Sequence, residues 1–92
     1  MIQSFKCADT QSLFETGKSK RFGSFQGVAE RKLTQLAAAA TIEFLKSPPG
    51  NHLERLKRDR EGQHSIRINQ QWRICFVWGA KGPSNVEIVD YH

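Results

Sequence analysis

Apolar residues recur at steps of three and four between residues 25 and 44, which is the spacing of one helical face. The positions are Phe25, Ala29, Leu33, Leu36, Ala37, Ala40 and Phe44. They predict a helix over residues 25–40, capped by Ser24, with one or two further helical turns to Lys46. The segment SPPG at residues 47–50 then ends the helix, because proline lacks a backbone donor.

A shorter helix is predicted in DTQSLFETG, at residues 9–17. Asp9 is a good N-cap residue, and Gly17 is a natural residue to follow the last helical turn. The preceding segment IQSF, at residues 2–5, predicts a short edge strand.

After SPPG the pattern changes from a helical period to alternation. Three segments predict strands joined by short turns: HSIRI at 64–68, WRICFVW at 72–78 and VEIVDY at 86–91. The middle strand places Trp72, Ile74, Phe76 and Trp78 on one face, which should meet the apolar helix face. Helices followed by strands predict an α+β fold, with N-terminal helices packed on an antiparallel sheet in a single domain over residues 1–92.

The chain is basic, and its cations are clustered. Lys and Arg number 14 against 9 acidic residues, so the formal net charge is +5, which favours an anionic partner. Arg55, Lys57, Arg58 and Arg60 fall within six residues; such a run is either a solvated loop or a phosphate-binding patch. Arg73 lies inside an apolar strand, where a guanidinium needs a carboxylate or phosphate partner.

Several classes of chemistry lack support in this sequence. His52, His64, His92, Cys7 and Cys75 do not fall at zinc-ligand spacings, and the cysteines predict two reduced thiols, with Cys75 buried in a strand. No phosphate-binding glycine loop, GxSxG or HExxH motif occurs. These spacings and missing motifs predict no metal or cofactor. The absence of a signal peptide and of a long apolar run predicts a cytoplasmic protein without a membrane span.

Metal-free cleavage of RNA fits the groups that remain. RNA carries its own nucleophile, the 2′-hydroxyl, so a protein must supply a base, an acid and cations for the phosphorane charge. The chain ends on Asp90, Tyr91 and His92, directly after a strand. In an antiparallel meander this strand end should lie near Arg73, close to the upstream cations.

Three segments together carry a resemblance to a known family: MIQSF at the start, LERLKRDREGQHSIRINQQWRICFVW in the middle and VEIVDYH at the end. The chain resembles the HigB branch of the RelE/ParE toxin superfamily over essentially its full length. The resemblance implies a RelE-like fold and a growth-inhibiting, ribosome-dependent endoribonuclease, or mRNA interferase. It also implies neutralisation by a HigA-like helix-turn-helix antitoxin, whose complex with the toxin binds promoter DNA.

The same resemblance implies roles for individual residues. Asp90, Tyr91 and His92 fall on the functional C-terminal trio, and Lys57 on a catalytic position of the active-site loop. Glu54 stands where some members have a functional histidine. A glutamate can accept a proton but offers no cation at neutral pH, so either acid and base roles are redistributed among Glu54, Asp90 and His92, or catalysis is weak.

Four arginines are expected to bind RNA. Arg73 matches a strand arginine shared across much of the superfamily, and it is expected to hold phosphates near the scissile bond together with Arg60. Arg55 and Arg58 are expected at the periphery of the site.

Two alternatives belong to other functional classes. A ParE-like inhibitor of DNA gyrase would use the same fold without nuclease activity, and it would not need the terminal acid–base residues. A basic RNA-binding module would bind RNA independently of Asp90 and His92.

Overall fold

The structure is a computed structural model and describes residues 1–90; Tyr91 and His92 lie outside the described residues. Two helices and four strands follow one another along the chain: α1 Ala8–Thr16, α2 Gln26–Ala38, β1 Glu54–Arg55, β2 His64–Arg67, β3 Trp72–Gly79 and β4 Gly82–Asp90. The sheet has the order β1-β2-β3-β4, and every neighbouring pair is antiparallel. The predicted α+β fold is therefore confirmed. None of the helices within residues 1–90 could span a membrane.

The apolar faces of the helices and the sheet meet as expected. Leu33 and Leu36 of α2 are fully buried together with Ile74 and Phe76 of β3. Trp72 packs against this core at one end of the strand. Alternation along β3 thus fixes which side of the sheet the helices cover.

The predicted extent of the long helix was wrong at both ends. Helix α2 begins at Gln26 without a side-chain cap and ends at Ala38, where Ala39 takes an extended conformation. The next turns, Ile42–Lys46, form a 3₁₀-helix. This tighter helix has about three residues per turn, so the helical phase shifts. Leu45 is consequently buried, and Phe44, predicted on the core face, is 52% exposed.

The short helix has a different start and the expected end. Helix α1 begins at Ala8, two residues earlier than a helix capped by Asp9 would begin, and Cys7 rather than Asp9 occupies the N-cap position. Asp9 lies in the first turn, where the helix dipole favours a carboxylate, and it pairs with Arg21 at 3.5 Å. Gly17 ends the helix with φ of 72°, a left-handed conformation that glycine adopts without strain.

The N-terminal segment covers the free edge of β4. Instead of the predicted strand at residues 2–5, one parallel bridge joins Phe5 to Val86. The backbone N–H of Val86 donates to the carbonyl of Ser4 at 3.1 Å, and that of Ile88 donates to the hydroxyl of buried Thr10 at 3.0 Å. An edge strand exposes unpaired backbone groups, and the N-terminal segment and α1 together satisfy several of them.

A buried asparagine holds the SPPG turn against α2. Asn51 is fully buried, and its amide donates to the carbonyl of Leu45 at 3.0 Å and to Gln35 Oε1 at 3.2 Å. Its own side-chain oxygen accepts a hydrogen bond from the ammonium of Lys32. Burial, and secondarily the charge of Arg31, lowers the pKa of Lys32.

We expect Asn51→Ala to lower the free energy of unfolding by about 1–3 kcal/mol, because buried partners would lose their hydrogen bonds. Urea unfolding of the variant would measure this loss. Gln70→Ala, at an exposed position in the β2–β3 turn, is the matched control and should change stability little. Equal stability of both variants would contradict the role given to Asn51.

Candidate active site

One face of the sheet points away from the helical layer and carries polar side chains. Register and alternation place five residues on it, and it is called the polar face below: Ser65, Arg67, Arg73, Cys75 and Glu87. The alternate residues of the same strands, such as Ile66, Ile74 and Ile88, enter the core. Because polar residues alternate with apolar core residues along these strands, the polar side chains lie together on the opposite face of the sheet.

Arg73 is the most deeply buried cation of the polar face, at 8% exposure. Its Nε donates to Ser65 Oγ at 2.8 Å, and its Nη2 donates to the carbonyl oxygen of His52 at 2.6 Å. Its Nη1 lies 3.4 Å from Glu54 Oε1. The expected carboxylate partner of Arg73 is thus confirmed. The planar guanidinium joins β1, β2 and the turn before β1.

The backbone conformation of His52 directs its carbonyl group toward Arg73. Its φ of 44° is left-handed, which is uncommon for a residue other than glycine. The adjoining 3₁₀ turn, Pro49–Asn51, ends at His52. The His52 carbonyl thereby faces Arg73 rather than a neighbouring backbone N–H.

Arg60 reaches the polar face from the loop that follows β1. Its Nη1 lies 2.9 Å from Glu87 Oε1 and also donates to Gln63 Oε1 at 3.3 Å. Lys6 approaches the same Glu87 oxygen at 3.9 Å. The Glu87 carboxylate on the last strand therefore contacts one cation from the N-terminal segment and one from the loop.

Cys75 lies beneath these charges and is fully buried, as the sequence predicted. Burial raises the pKa of the Cys75 thiol, and Glu87 adds to this effect, while Arg60 opposes it. The thiol thus stays protonated at neutral pH and makes a poor nucleophile.

The remaining predicted cations lie at the end of β1 and in the loop that follows it, and this segment, residues 55–63, is called the basic loop below. Arg55, Lys57 and Arg58 are exposed and line two shallow grooves of about 450 and 390 Å³. The loop is closed by a hydrogen bond from the Leu56 N–H to the Gln63 carbonyl at 2.8 Å. Arg58 has a φ of 60°, so its backbone is strained at the tip of a loop crowded with charge.

Asp90 lies at the end of β4, one residue pair away from Arg73. It pairs with Trp72, whereas Arg73 pairs with Val89. The strand end is therefore near Arg73, as expected. Alternation nevertheless directs the Asp90 side chain to the side of the sheet that Trp72 occupies, and its Oδ2 accepts a hydrogen bond from Gln71 Nε2 at 3.0 Å.

Sequence reasoning missed two charged residues of this region, Lys6 and Glu87. Glu87 alternates with the buried residues Val86 and Ile88 of the last strand, a pattern that places it on the same face as Arg73. Lys6 had no comparable pattern, because its position follows from a single bridge between the N-terminal segment and β4. Within residues 1–90, no three His, Cys, Asp or Glu side chains are grouped as metal ligands.

Comparison with known proteins decides the family. Residues 3–92 match the family described as the RelE-like toxin of the type II toxin–antitoxin system HigB. The chain belongs to this HigB family. Its two helices on a four-stranded antiparallel sheet agree with the RelE-like fold that the resemblance implied. Membership in a type II system implies an antitoxin as the partner of this toxin.

Two relatives show how the similarity is distributed. Toxin HigB-1 of Vibrio cholerae serotype O1 is 36% identical over 80 residues, which cover 85% of this chain and 84% of that protein. An uncharacterized protein of Haemophilus influenzae is 43% identical over 51 residues, or 55% of this chain and 50% of its own length. The similarity to the Vibrio toxin thus extends over most of both chains.

His64 of this HigB-family toxin lies where the basic loop rejoins the sheet. It pairs with Arg55 across the strands, and its ring stacks on Phe76 at 6.2 Å between centroids. Its Nδ1 is buried and has no hydrogen-bond partner within residues 1–90. Burial, and secondarily the charge of Arg55, lowers the pKa of His64.

This lowered pKa predicts a loss of stability in acid. Below about pH 6.5 the unfolded chain binds a proton at His64 before the folded chain does, so the free energy of unfolding falls as the pH falls. His64→Phe keeps the ring stacking and should remove this part of the dependence. Urea unfolding between pH 5 and pH 8 measures it. Identical pH slopes for the wild type and the variant would contradict the assignment.

Proposed function

We propose that this HigB-family toxin is a ribosome-dependent endoribonuclease that cleaves messenger RNA by acid–base catalysis. One observation carries the proposal: guanidinium groups from β3 and from the basic loop converge on one face of the sheet, each already against a carboxylate. Arg73 contacts Glu54, and Arg60 contacts Glu87. Guanidinium groups fixed in this way suit a phosphate whose charge increases in the transition state.

The proposed reaction is attack of the 2′-hydroxyl on the adjacent phosphorus. The 2′-oxygen forms a bond to phosphorus, its proton passes to a base, and the bond to the 5′-oxygen breaks as an acid protonates that oxygen. The products are a 2′,3′-cyclic phosphate and a 5′-hydroxyl. Base and acid are proposed to come from Glu54, Asp90 and His92; Glu54 lies beside Arg73, whereas the Asp90 side chain lies at the strand end on the Trp72 side of the sheet. Tyr91 is proposed to stack on an RNA base.

The proposed phosphate ligands are Lys57, Arg60 and Arg73, with Arg55 and Arg58 at the periphery. Arg55, Lys57 and Arg58 are exposed, whereas Arg73 is already fixed by Ser65 and His52. The proposed phosphate ligands thus include a cation held by buried hydrogen bonds and cations that are exposed to solvent. The ribosome would align the RNA strand, which is a large part of catalysis that a small domain cannot supply alone.

The proposed partners follow from family membership. The antitoxin is proposed to be a HigA-like helix-turn-helix protein, and the complex to bind its own promoter DNA. A net charge of +5 suits an acidic surface on such a partner.

We expect the purified toxin to cut messenger RNA in translating ribosomes and to leave the same RNA largely intact without them. The upstream fragment should carry a 2′,3′-cyclic phosphate, and a variant lacking His92 should not cut. Primer extension and end-group analysis measure both features. Equal cleavage of naked RNA would contradict the ribosome requirement. Growth inhibition without any RNA cleavage would favour a gyrase inhibitor instead.

Lys57→Ala should reduce cleavage roughly a hundredfold, the usual scale for losing one group that stabilises transition-state charge. Lys57 is exposed, so the melting temperature of the variant should stay near that of the wild type. Lys46→Ala removes the same charge from the exposed end of a 3₁₀-helix and is the matched control. Similar cleavage rates for the two variants would show that Lys57 does not act in the site.

A further inference from the structure

A second group of cations lies outside the proposed site, in the connector between the helices. Lys18, Lys20 and Arg21 fall within four residues, and all three are exposed. Arg21 pairs with Asp9. Neither Lys18 nor Lys20 forms an ion pair with a carboxylate of residues 1–90. The segment 18–21, called the connector below, therefore presents two exposed ammonium groups that are available to a ligand.

The connector is held against α1, and the residue that precedes it is held by α2. The hydroxyl of Ser12 donates to the Lys18 carbonyl at 3.2 Å, and the Lys18 N–H donates to Thr16 Oγ1 at 3.2 Å. The side chain of Gln26 donates to the carbonyl of Gly17. Because these contacts fix the backbone, little backbone freedom remains to be lost when the lysines bind a ligand.

The connector also lines a groove. The depression has a volume of about 600 Å³ and is bordered by Asp9, Ser12, Lys18, Ser19, Lys20 and Gln26. Ser19 Oγ accepts the N–H of Arg21 at 3.2 Å, so its hydroxyl proton remains available to a ligand. Ammonium and hydroxyl donors along a groove suit phosphate oxygens.

Arg21 connects this groove to the end of β4. Its guanidinium lies 5.4 Å from the ring centroid of Phe22 and 6.0 Å from that of Trp72. Trp72 pairs with Asp90 across the sheet. The connector thus lies on the helical side of the strand end, whereas Arg60 and Arg73 lie on the other side.

We propose that the connector is a second RNA-binding surface, in which Lys18 and Lys20 bind the phosphodiester backbone of RNA beside the catalytic strand end. This inference rests on the proposed function. The RNA has two sources, ribosomal RNA and the messenger strand, and both offer the same phosphate chemistry. Continuity with the Asp90 end of the sheet favours RNA over an acidic protein as the ligand.

The test is the double variant Lys18→Ala/Lys20→Ala in the full chain. Its matched control is Lys46→Ala/Lys81→Ala, which removes the same charge at exposed positions elsewhere. Binding is measured against salt on two probes: ribosomes without messenger, and an RNA oligonucleotide whose 2′-O-methyl groups block cleavage. Melting temperature and binding to the co-expressed antitoxin are measured alongside.

The connector variant should bind RNA more weakly, with the slope of log K against log salt reduced by about 2, one per lysine removed. The control should keep the wild-type slope. A reduced slope on empty ribosomes assigns the contact to ribosomal RNA, and one on the oligonucleotide assigns it to the messenger strand. Either result supports the proposal, provided that the melting temperature is unchanged.

Three results would overturn the proposal. Wild-type slopes on both probes would show that the connector does not bind RNA, and the toxin could still cleave in ribosomes, so the proposed function would survive. Loss of antitoxin binding with RNA binding intact would make the connector a protein interface. If the wild type neither binds RNA nor cleaves it, the proposed function and this inference both fail.

Discussion

The burial of one guanidinium organises the polar side of this toxin. Arg73 sits in the middle of the sheet at 8% exposure, where an uncompensated charge would be costly. Its contacts therefore have to come from several parts of the chain: Ser65 on β2, Glu54 on β1 and the His52 carbonyl in the preceding turn. Those contacts hold a two-residue edge strand and the start of the basic loop in place.

The short strand β1 depends on its contacts with Arg73. Two residues cannot establish an alternating apolar face, and both are exposed. The strand pairs with β2 through Glu54↔Ser65 and Arg55↔His64. Because Ser65 and Glu54 both contact Arg73, the cation fixes the same register that the backbone pairing requires.

The sequence predicted the parts of the fold that depend on periodicity. Steps of three and four located α2, and alternation located β2 and β3 together with the face that carries Arg73. The exposure of Phe44 was not predictable from this pattern, because it depends on a change from α to 3₁₀ geometry. Strand β1 was missed because two residues show no period.

The site was predictable to a similar degree. Residue types and the resemblance selected the cations, and strand alternation located Arg73. The contact between Arg60 and Glu87 joins residues 27 positions apart and depends on how the loop folds back, which no local pattern records. The roles of Asp90, Tyr91 and His92 stay predictions, and the last two residues lie outside the described part of the chain.

The paired charges of the polar face bear on how the proposed catalysis would begin. Glu54 and Glu87 stabilise Arg73 and Arg60 in the free toxin, but each would repel an incoming phosphate. The two carboxylates differ in freedom: the Glu54 side chain is 54% exposed, and that of Glu87 is 15% exposed. Glu54 can therefore turn away into solvent, whereas Glu87 is held under Arg60.

An RNA phosphate that takes the place of Glu54 beside Arg73 would move the carboxylate but not the guanidinium. The guanidinium keeps its bonds to Ser65 and to the His52 carbonyl, so its position does not depend on the carboxylate. The displaced Glu54 carboxylate would remain on β1, next to the phosphate that replaced it. Binding of the substrate would thereby leave the carboxylate that is proposed as a base beside the scissile phosphate.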